Sequence, residues 1–393
     1  MEQRTLLTVY TVTSTSDVTD PLDGQMTLRE AIVAANQNAD ADEIRFNIPG
    51  AGAHTISPTS PLPTVRHTTV IDATIESGYI NRPVIFLDGT NAGTDNAAKG
   101  LRLQGDNSVV RGLAIGNFFA QGILIDGSVG ATISQNFIGT DVTGTVAQPN
   151  GYGILVYGSS MNSIEHNLLS GNTNDGIRIT ETTSSQNIVR NNRIGTDDAQ
   201  TVALGNLRNG VTIINGATNN TVENNTISGN QSLGVSIHGS GSTGNVVRGS
   251  RIGTNASGMT EIPNGTHRVW IGGGATDNQI GQPGVSFSNV IGGNRKVCIF
   301  LTNENTSRNT VMNNLIGVNV SQQPLPNEEF GVTLYLGPSD NQIGGNAAGN
   351  EGNVISGNLF DGVRLEGATT ASNVVQGNSI GTNSSGQSAV SNE

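Results

Sequence analysis

From about residue 100 onward, the chain alternates apolar and polar residues in short runs that are separated by Gly- and Asn-rich segments. In "GIRIT" (176–180) the apolar side chains recur at every second position, which predicts β-strands with one apolar face. Nine such runs begin at residues 122, 153, 176, 210, 234, 268, 296, 331 and 362. No helical periodicity lies between them, so the pattern predicts an all-β protein.

A longer repeat sets the expected architecture. The phrases "NFIGTD", "NRIGTD", "SRIGTN", "NLIGVN" and "NSIGTN" are spaced by 56, 58, 64 and 64 residues, measured between Ile138, Ile194, Ile252, Ile316 and Ile380. Each interval contains two units of 23 to 35 residues. Such units are typical of the turns of a single-stranded right-handed parallel β-helix, a solenoid whose turns stack at about 4.8 Å. The alternative, a β-propeller, would need four regularly spaced strands per blade.

Asn-x-Ile/Val steps recur at the same place in successive units, as in "NSIEHN" and "NIVRNN". Asn at a repeated bend can bond to the Asn of the turns above and below, which predicts a ladder. Its members are Asn162, Asn187, Asn220, Asn245, Asn309 and Asn373. The residues that follow alternate in charge and predict stacked surface ion pairs of about 0–1 kcal/mol each: Glu165, Arg190, Glu223 and Arg248.

The first 64 residues differ from the repeats. Thr27 and Glu30 have the spacing of a capping box, and apolar residues follow at helical intervals, which predicts a short amphipathic helix. We expect this helix to cover the open edge of the first turn. The predicted organisation is a cap segment, 1–64, and a β-helix of about ten or more turns, 65–393. The repeats stop at residue 393 without a second cap, so we expect either a longer native protein or an end that is frayed or covered by a partner.

Composition and charge exclude several classes of protein. The net charge is −12, and 17 Arg but only two Lys leave no evident basic patch for nucleic acid. The sequence contains no run of about 20 apolar residues, the length that a membrane-spanning helix needs. The single Cys298 supports neither a disulfide framework nor a zinc cluster. We expect a monomer.

The turns written "N-x-I…GN…GI.I" resemble those of the pectin-lyase-like superfamily of right-handed parallel β-helices, over about residues 65–393. The opening "GQMTLREAIVAANQ" resembles the "SLREAI" segment of large secreted bacterial repeat proteins, and "EQRTLL" resembles the tail of an export-associated segment. The resemblance implies a secreted or cell-surface protein. The superfamily includes polysaccharide lyases, glycoside hydrolases, uronan epimerases and noncatalytic adhesins. Their catalytic motifs are not found here, so no catalytic residue is carried over.

The residues that vary between repeats point outward from the predicted strands and contain much of the scarce aromatic content. Aromatic rings bordered by Arg, His and carboxylates suit sugar rings, which predicts a polysaccharide-binding groove. Its predicted binding residues are Tyr152, Tyr157, Asp175, Trp270, Arg295, Phe300 and Tyr335. Aligning the runs places Cys298 next to Trp270, and four long segments after the IGT/IGV phrases are expected to wall the groove. The alternative is an ordinary solvated strand face.

The same face suggests a reaction. A polysaccharide lyase acting on a uronic-acid polymer needs a base for the C5 proton and a cation for the carboxylate. The candidates are Arg178, His238, His267 and Lys296. Glycoside hydrolysis would need two carboxylates about 5–9.5 Å apart, and Asp175 and Asp361 are many turns apart. A noncatalytic adhesin or structural carbohydrate-binding domain remains open. No cofactor is predicted with certainty, although "GTDD" (195–198) could offer oxygen ligands to Ca²⁺.

Overall fold

A computed structural model describes residues 7–284, 288–293, 295–346 and 349–393. The chain coils through three parallel sheets, here called A, B and C. A typical turn adds one strand to each sheet, and that strand pairs in register with the strand of the turn before. This is the predicted all-β right-handed parallel β-helix, with a short helix, Leu28–Ala35, at its N-terminal end. A 3₁₀ turn spans Gly89–Asn91. Within these ranges, no helix is long and apolar enough to cross a bilayer.

Sheet A begins before residue 65 and runs the length of the solenoid. Its 13 strands in the described ranges are Thr8–Val12, Asp42–Phe46, Thr69–Asp72, Val109–Arg111, Thr132–Ser134, Ser163–Glu165, Ile188–Arg190, Thr221–Glu223, Val246–Arg248, Gln279–Ile280, Thr310–Val311, Gln342–Gly344 and Val374–Gln376. The predicted boundary at residue 65 therefore coincides with no break in this sheet.

Sheet B contains the strands of the repeated IGT/IGV phrases. Its 12 strands in the same ranges are His54–Ile56, Ile85–Asp88, Leu113–Gly116, Phe137–Ile138, Leu168–Leu169, Arg193–Ile194, Thr226–Ile227, Arg251–Ile252, Asn289–Ile291, Asn314–Ile316, Val354–Ile355 and Ser379–Ile380.

Sheet C contains the predicted alternating runs. Its ten described strands are Leu101–Leu103, Gln121–Asp126, Tyr152–Tyr157, Ile177–Thr180, Val211–Ile214, Val235–His238, Val269–Gly272, Ile299–Thr302, Val332–Tyr335 and Val363–Glu366. In these strands the second and fourth residues of the Gly-initiated runs, such as Ile177 and Ile179, are fully buried, except in the last run, where Val363 is half-buried and Leu365 is exposed. They pack into one core with their equivalents in the other two sheets.

The retained glycine before each sheet C strand has a steric reason. A Cβ added to Gly176 would come within 2.9 Å of the Gly210 carbonyl oxygen and of the Ile194 Cγ2 atom. The chain approaches the next turn too closely there for a side chain. The repeated Gly therefore allows the turns to stack at strand spacing.

The predicted Asn ladder is present and is longer than the sequence list. Asn187 donates from Nδ2 to Asn220 Oδ1 at 2.9 Å, and Asn220 does the same to Asn245 at 3.0 Å. Asn278 and Asn341 continue the ladder. Two more Asn ladders stack at other corners, one through Asn136, Asn167, Asn192 and Asn225, the other through Asn150, Asn172, Asn206, Asn230 and Asn264.

The helix forms as the sequence predicts. The Thr27 hydroxyl accepts from the backbone N–H of Glu30, and a Glu30 carboxylate oxygen accepts from the Thr27 N–H at 2.9 Å, which completes the capping box. Leu28 and Ile32 pack with Val12 in the core at the N-terminal end. The helix therefore covers the first turn. The export-like "EQRTLL" segment lies outside the described residues, apart from Leu7.

The sheet A charges lie in the predicted register. Arg190 is paired through its backbone with Glu223 and forms its ion pair with Glu165, at 2.5 Å between Nε and Oε2. Arg248 pairs with Glu223 at 2.6 Å. The column thus consists of two separate pairs.

One predicted alignment is wrong. Cys298 does not lie next to Trp270, because the strand begins at Ile299 and the residue in register with Trp270 is Phe300. Cys298 is fully buried in the core, at the position that Gly occupies in most other turns. The run "KVCIF" lacks that Gly, so aligning the runs by their first residues sets Val297 opposite Val269. The residue in register with Val269 is Ile299.

Candidate functional site

The outer face of sheet C brings several predicted residues into contact. The His238 and Trp270 rings are 4.7 Å apart between centroids, and so are the His267 and Phe300 rings. Phe300 is 6.4 Å from Tyr335. Since Trp270 and Phe300 are also paired across adjacent strands, the rings form a row over four successive strands of sheet C, which we call the aromatic row.

The face continues toward the N-terminus with a charged group. Arg178 donates from Nε to Asp175 Oδ2 at 2.8 Å, and its guanidinium lies 5.0 Å from the centre of the Tyr152 ring. Asp175 is fully buried and also accepts from the Asn209 backbone N–H at 3.1 Å. These contacts fix the Arg178 side chain on the surface, where a quarter of it is exposed.

The electrostatic surroundings keep both histidines neutral at pH 7. Burial, followed by the Arg178 charge, lowers the pKa of His238. Burial, followed by the charges of Lys296 and Arg268, lowers the pKa of His267 to about 4. Neutral imidazoles can accept a proton.

The two imidazoles differ in which nitrogen is available. His238 Nδ1 lies 2.9 Å from the Ser236 hydroxyl, and this contact leaves Nε2 as the nitrogen that can meet a ligand. His267 Nδ1 is buried and has no hydrogen-bond partner in the described ranges. His238 is therefore the better placed of the two to act as a base.

Two cavities lie along sheet C. One, of about 280 Å³, is lined by His267, Phe300, Thr333 and Tyr335 among others, and the Thr333 hydroxyl is buried without a described partner. The other, of about 530 Å³, is lined by Gln121, Tyr152 and neighbouring loop residues. The aromatic row thus borders the smaller of these concave surfaces, which can enclose part of a ligand, and Tyr152 borders the larger.

The other predicted residues lie at the margins of this face. Tyr157 is exposed, in register with Asp126 and Thr180. Arg295 and Lys296 are exposed in the turn before the sheet C strand, and Val297 rather than Arg295 has the register of His267.

Other residues extend the face beyond the predicted set. The Phe330 and Phe360 rings are 5.5 Å apart, and the Arg364 guanidinium lies 4.6 Å from the Phe330 centroid. Phe330 lies two residues before its strand, as His267 does. This equivalent position in the repeat is the sequence feature that could have identified it.

Arg268 is an unexpected neighbour of the site. It is fully buried where most turns have Gly, and its Nε and Nη2 atoms lack partners among the described residues. Its Nη1 donates to the Thr266 carbonyl, and burial lowers its pKa to about 9.

The predicted loop wall is wrong in position. Each long loop bridges back on itself directly after sheet B, as in the antiparallel pair Thr140 and Ala147, and lies over the outer face of sheet B. A Cβ on Gly144 would lie 2.8 Å from a Leu168 methyl of that sheet. Neighbouring loops also bond to each other, with Asp198 donating its N–H to the Gly144 carbonyl at 3.0 Å. The loops therefore enclose sheet B.

The "GTDD" bend uses its carboxylates internally. Asp197 accepts from the backbone N–H groups of Thr201 and Val202, at 2.7 and 3.0 Å. Asp198 pairs with Arg193 and Arg82. Across the described ranges, no group of three or more His, Cys, Asp or Glu side chains is arranged to hold a metal ion.

Comparison with known proteins agrees with this architecture. Residues 85–252 match a family model described as a right handed beta helix region. The solved periplasmic alginate epimerase AlgG is similar, with a TM-score of 0.51 and 13% identity over 86% of this chain and 77% of that chain. The catalytic domain of a GH87 alpha-1,3-glucanase, solved in complex with tetrasaccharides, is also similar. Its TM-score is 0.51, and it is 14% identical over 92% of this chain and 70% of that chain. No curated protein sequence gives a significant match.

The chain therefore has the right-handed parallel β-helix fold. At 13–14% identity, the two solved structures establish a common fold and no common activity.

Proposed function

We propose that the outer face of sheet C binds a polysaccharide. The observation that carries this proposal is the aromatic row, in which His238 lies tilted against Trp270 and His267 stacks on Phe300, each with ring centroids 4.7 Å apart. Ring faces in a row suit the apolar faces of successive sugar units, and the bordering Arg and Tyr side chains suit their hydroxyls. The names of the two similar structures, an alginate epimerase and an alpha-1,3-glucanase, are consistent with a sugar ligand.

The finer proposal is a lyase acting on a uronic-acid polymer. His238 Nε2 would take the C5 proton, the released electron pair would form the C4–C5 double bond, and the C4–O bond would break. The departing oxygen would be protonated by the histidinium or by water. Arg178 would hold the carboxylate and stabilise the developing charge. The lowered pKa of His238 supports the role of a base at neutral pH.

The alternative is a noncatalytic adhesin or structural carbohydrate-binding domain of a larger protein. The Arg178 side chain supports it, because its Nε is already bonded to the buried Asp175 and its guanidinium lies over Tyr152. A cation held in this way can serve binding alone. We place either form outside the cell, secreted or on the surface.

Two measurements on the purified protein test these proposals. Affinity electrophoresis in alginate, pectate and glycosaminoglycans reports binding, and ultraviolet absorbance of unsaturated ends reports elimination. Trp270→Ala should weaken binding about 5- to 30-fold, equivalent to about 1–2 kcal/mol. The exposed Val202, on a loop away from sheet C, provides the control Val202→Ala, which should bind normally.

The outcomes separate the alternatives. A lyase should give unsaturated ends that disappear in His238→Gln, which keeps its affinity. Binding by the wild type without any absorbance change would leave the noncatalytic form. Absence of binding to every polymer, or unchanged binding by Trp270→Ala, would refute the sheet C proposal. Turnover with a chelator and with added Ca²⁺ tests whether Ca²⁺ takes part.

A further inference from the structure

A second concave surface lies on sheet B, away from the aromatic row. Two cavities, of about 590 and 320 Å³, flank the Arg251 side chain. Both are lined by Asn224, Gly249 and Arg251, so they form one groove across this arginine, here called the Arg251 groove. Loop residues Val320, Gln322 and Ser384 close one side of it.

Arg251 has no counter-ion in the described ranges. It forms no ion pair or side-chain hydrogen bond there, and its Nε is buried without a partner. The position that a Cβ of Gly258 would take lies 2.9 Å from this Nε, so the loop covers the side chain closely. Burial alone lowers the pKa of Arg251, as expected for a guanidinium whose charge nothing compensates.

The equivalent arginine two turns earlier is neutralised. Arg193 occupies the same column of sheet B, through Thr226, and pairs with Asp198 of its own loop. The two segments read "RIGTDD" (193–198) and "RIGTNA" (251–256), so Ala256 stands where the other turn has its carboxylate. Ala256 lines the groove.

The groove lining is otherwise neutral or basic. The described residues that line its two cavities include no Asp or Glu, in a chain of net charge −12. Amide and hydroxyl side chains such as Asn224, Asn313 and Ser384 surround the arginine and can bond to hydroxyl groups. A volume of several hundred Å³ fits a sugar-sized ligand.

We propose that the Arg251 groove binds a carboxylate carried on a sugar-sized hydroxylated ligand, with the Arg251 guanidinium taking the place of the missing internal ion pair. Arg binds a carboxylate through two parallel hydrogen bonds, and a partly buried cation without a counter-ion favours this contact. The site lies on a different sheet from the aromatic row and does not depend on the function proposed for that row.

Isothermal titration with glucuronate, acetate and glucose tests the groove in the Trp270→Ala background, in which the aromatic row is impaired. Glucuronate should bind, acetate at least 10-fold more weakly, and glucose not measurably. Arg251→Met removes the charge, and Ala256→Asp restores the counter-ion seen beside Arg193. Each change should weaken glucuronate binding at least 10-fold, and Val146→Ala, at an exposed loop position that lines neither cavity, should leave it within about 2-fold.

Thermal midpoints check that the variants fold. Arg251→Met and Ala256→Asp should keep or raise the midpoint, since the first removes an uncompensated charge and the second supplies its counter-ion. The proposal would be overturned if acetate, or glucose, bound as tightly as glucuronate does. So would unchanged glucuronate affinity in the two folded variants. Neither result would bear on polymer binding at sheet C, which is measured separately in the protein with Trp270 intact.

Discussion

Asn187 allows a quantitative test of the Asn ladder. Its Oδ1 accepts from the Asn162 backbone N–H at 3.1 Å and from Asn162 Nδ2 at 2.8 Å. Its Nδ2 donates to the Ser159 carbonyl and to Asn220 Oδ1, each at 2.9 Å. Asn187→Ala removes all four hydrogen bonds. Asn220 Oδ1 keeps a donor, the backbone N–H of residue 187, but two Asn162 N–H groups and the Ser159 carbonyl lose theirs.

The expected cost follows from these three buried groups. Each unsatisfied buried group costs about 1–3 kcal/mol, so the free energy of unfolding should fall by about 3–5 kcal/mol after local relaxation. Urea denaturation followed by circular dichroism measures it. Asn96 is exposed and has no side-chain hydrogen bond in the described ranges, so Asn96→Ala should change stability by less than about 0.5 kcal/mol. A loss below about 1 kcal/mol in Asn187→Ala would show that the ladder does not hold the turns together.

Two further predictions concern His267, which belongs to the aromatic row, and its buried neighbour Arg268. Because the folded protein binds a proton at His267 less readily than the unfolded chain does, stability should fall as the pH drops from about 6.5 toward 4. His267→Gln should flatten this part of the urea-midpoint profile, and an unchanged profile would contradict the assigned burial. Arg268→Met should raise the free energy of unfolding by about 1–3 kcal/mol, because it removes a buried guanidinium that forms no ion pair with any described residue. A lower urea midpoint than wild type would contradict this.

The sequence was sufficient to predict the solenoid for a physical reason. Every turn must bury the same positions and pass the same corner, so residues such as Ile177 and Asn187 recur at a readable spacing. The helix was predictable because the capping box of Thr27 and Glu30 is local. These features depend on neighbours in sequence or on strict repetition.

The register near Cys298 was not predictable, because that turn lacks the Gly that marks the start of the other strands. The direction of the long loops was not predictable either. The alternation of apolar and polar residues ends where a loop begins, so it carries no information on the path of the loop. Only the structure shows that the loops lie over sheet B and that Ala256 lines the Arg251 groove. The grouping of outward side chains such as Trp270 on sheet C was predictable, since outward positions of paired strands must form one face.

The two candidate surfaces differ in what sets their chemistry. In sheet C, stacking at strand spacing brings Trp270 and Phe300 together, so the scaffold itself creates the aromatic row. In sheet B, the same scaffold gives Arg193 and Arg251 equivalent places, and a loop residue decides whether the guanidinium is neutralised. A change in a loop can therefore open or close a charged site without altering a strand. The ladders and the core remain the same in both turns, which is why surface chemistry can vary along this chain while its fold is preserved.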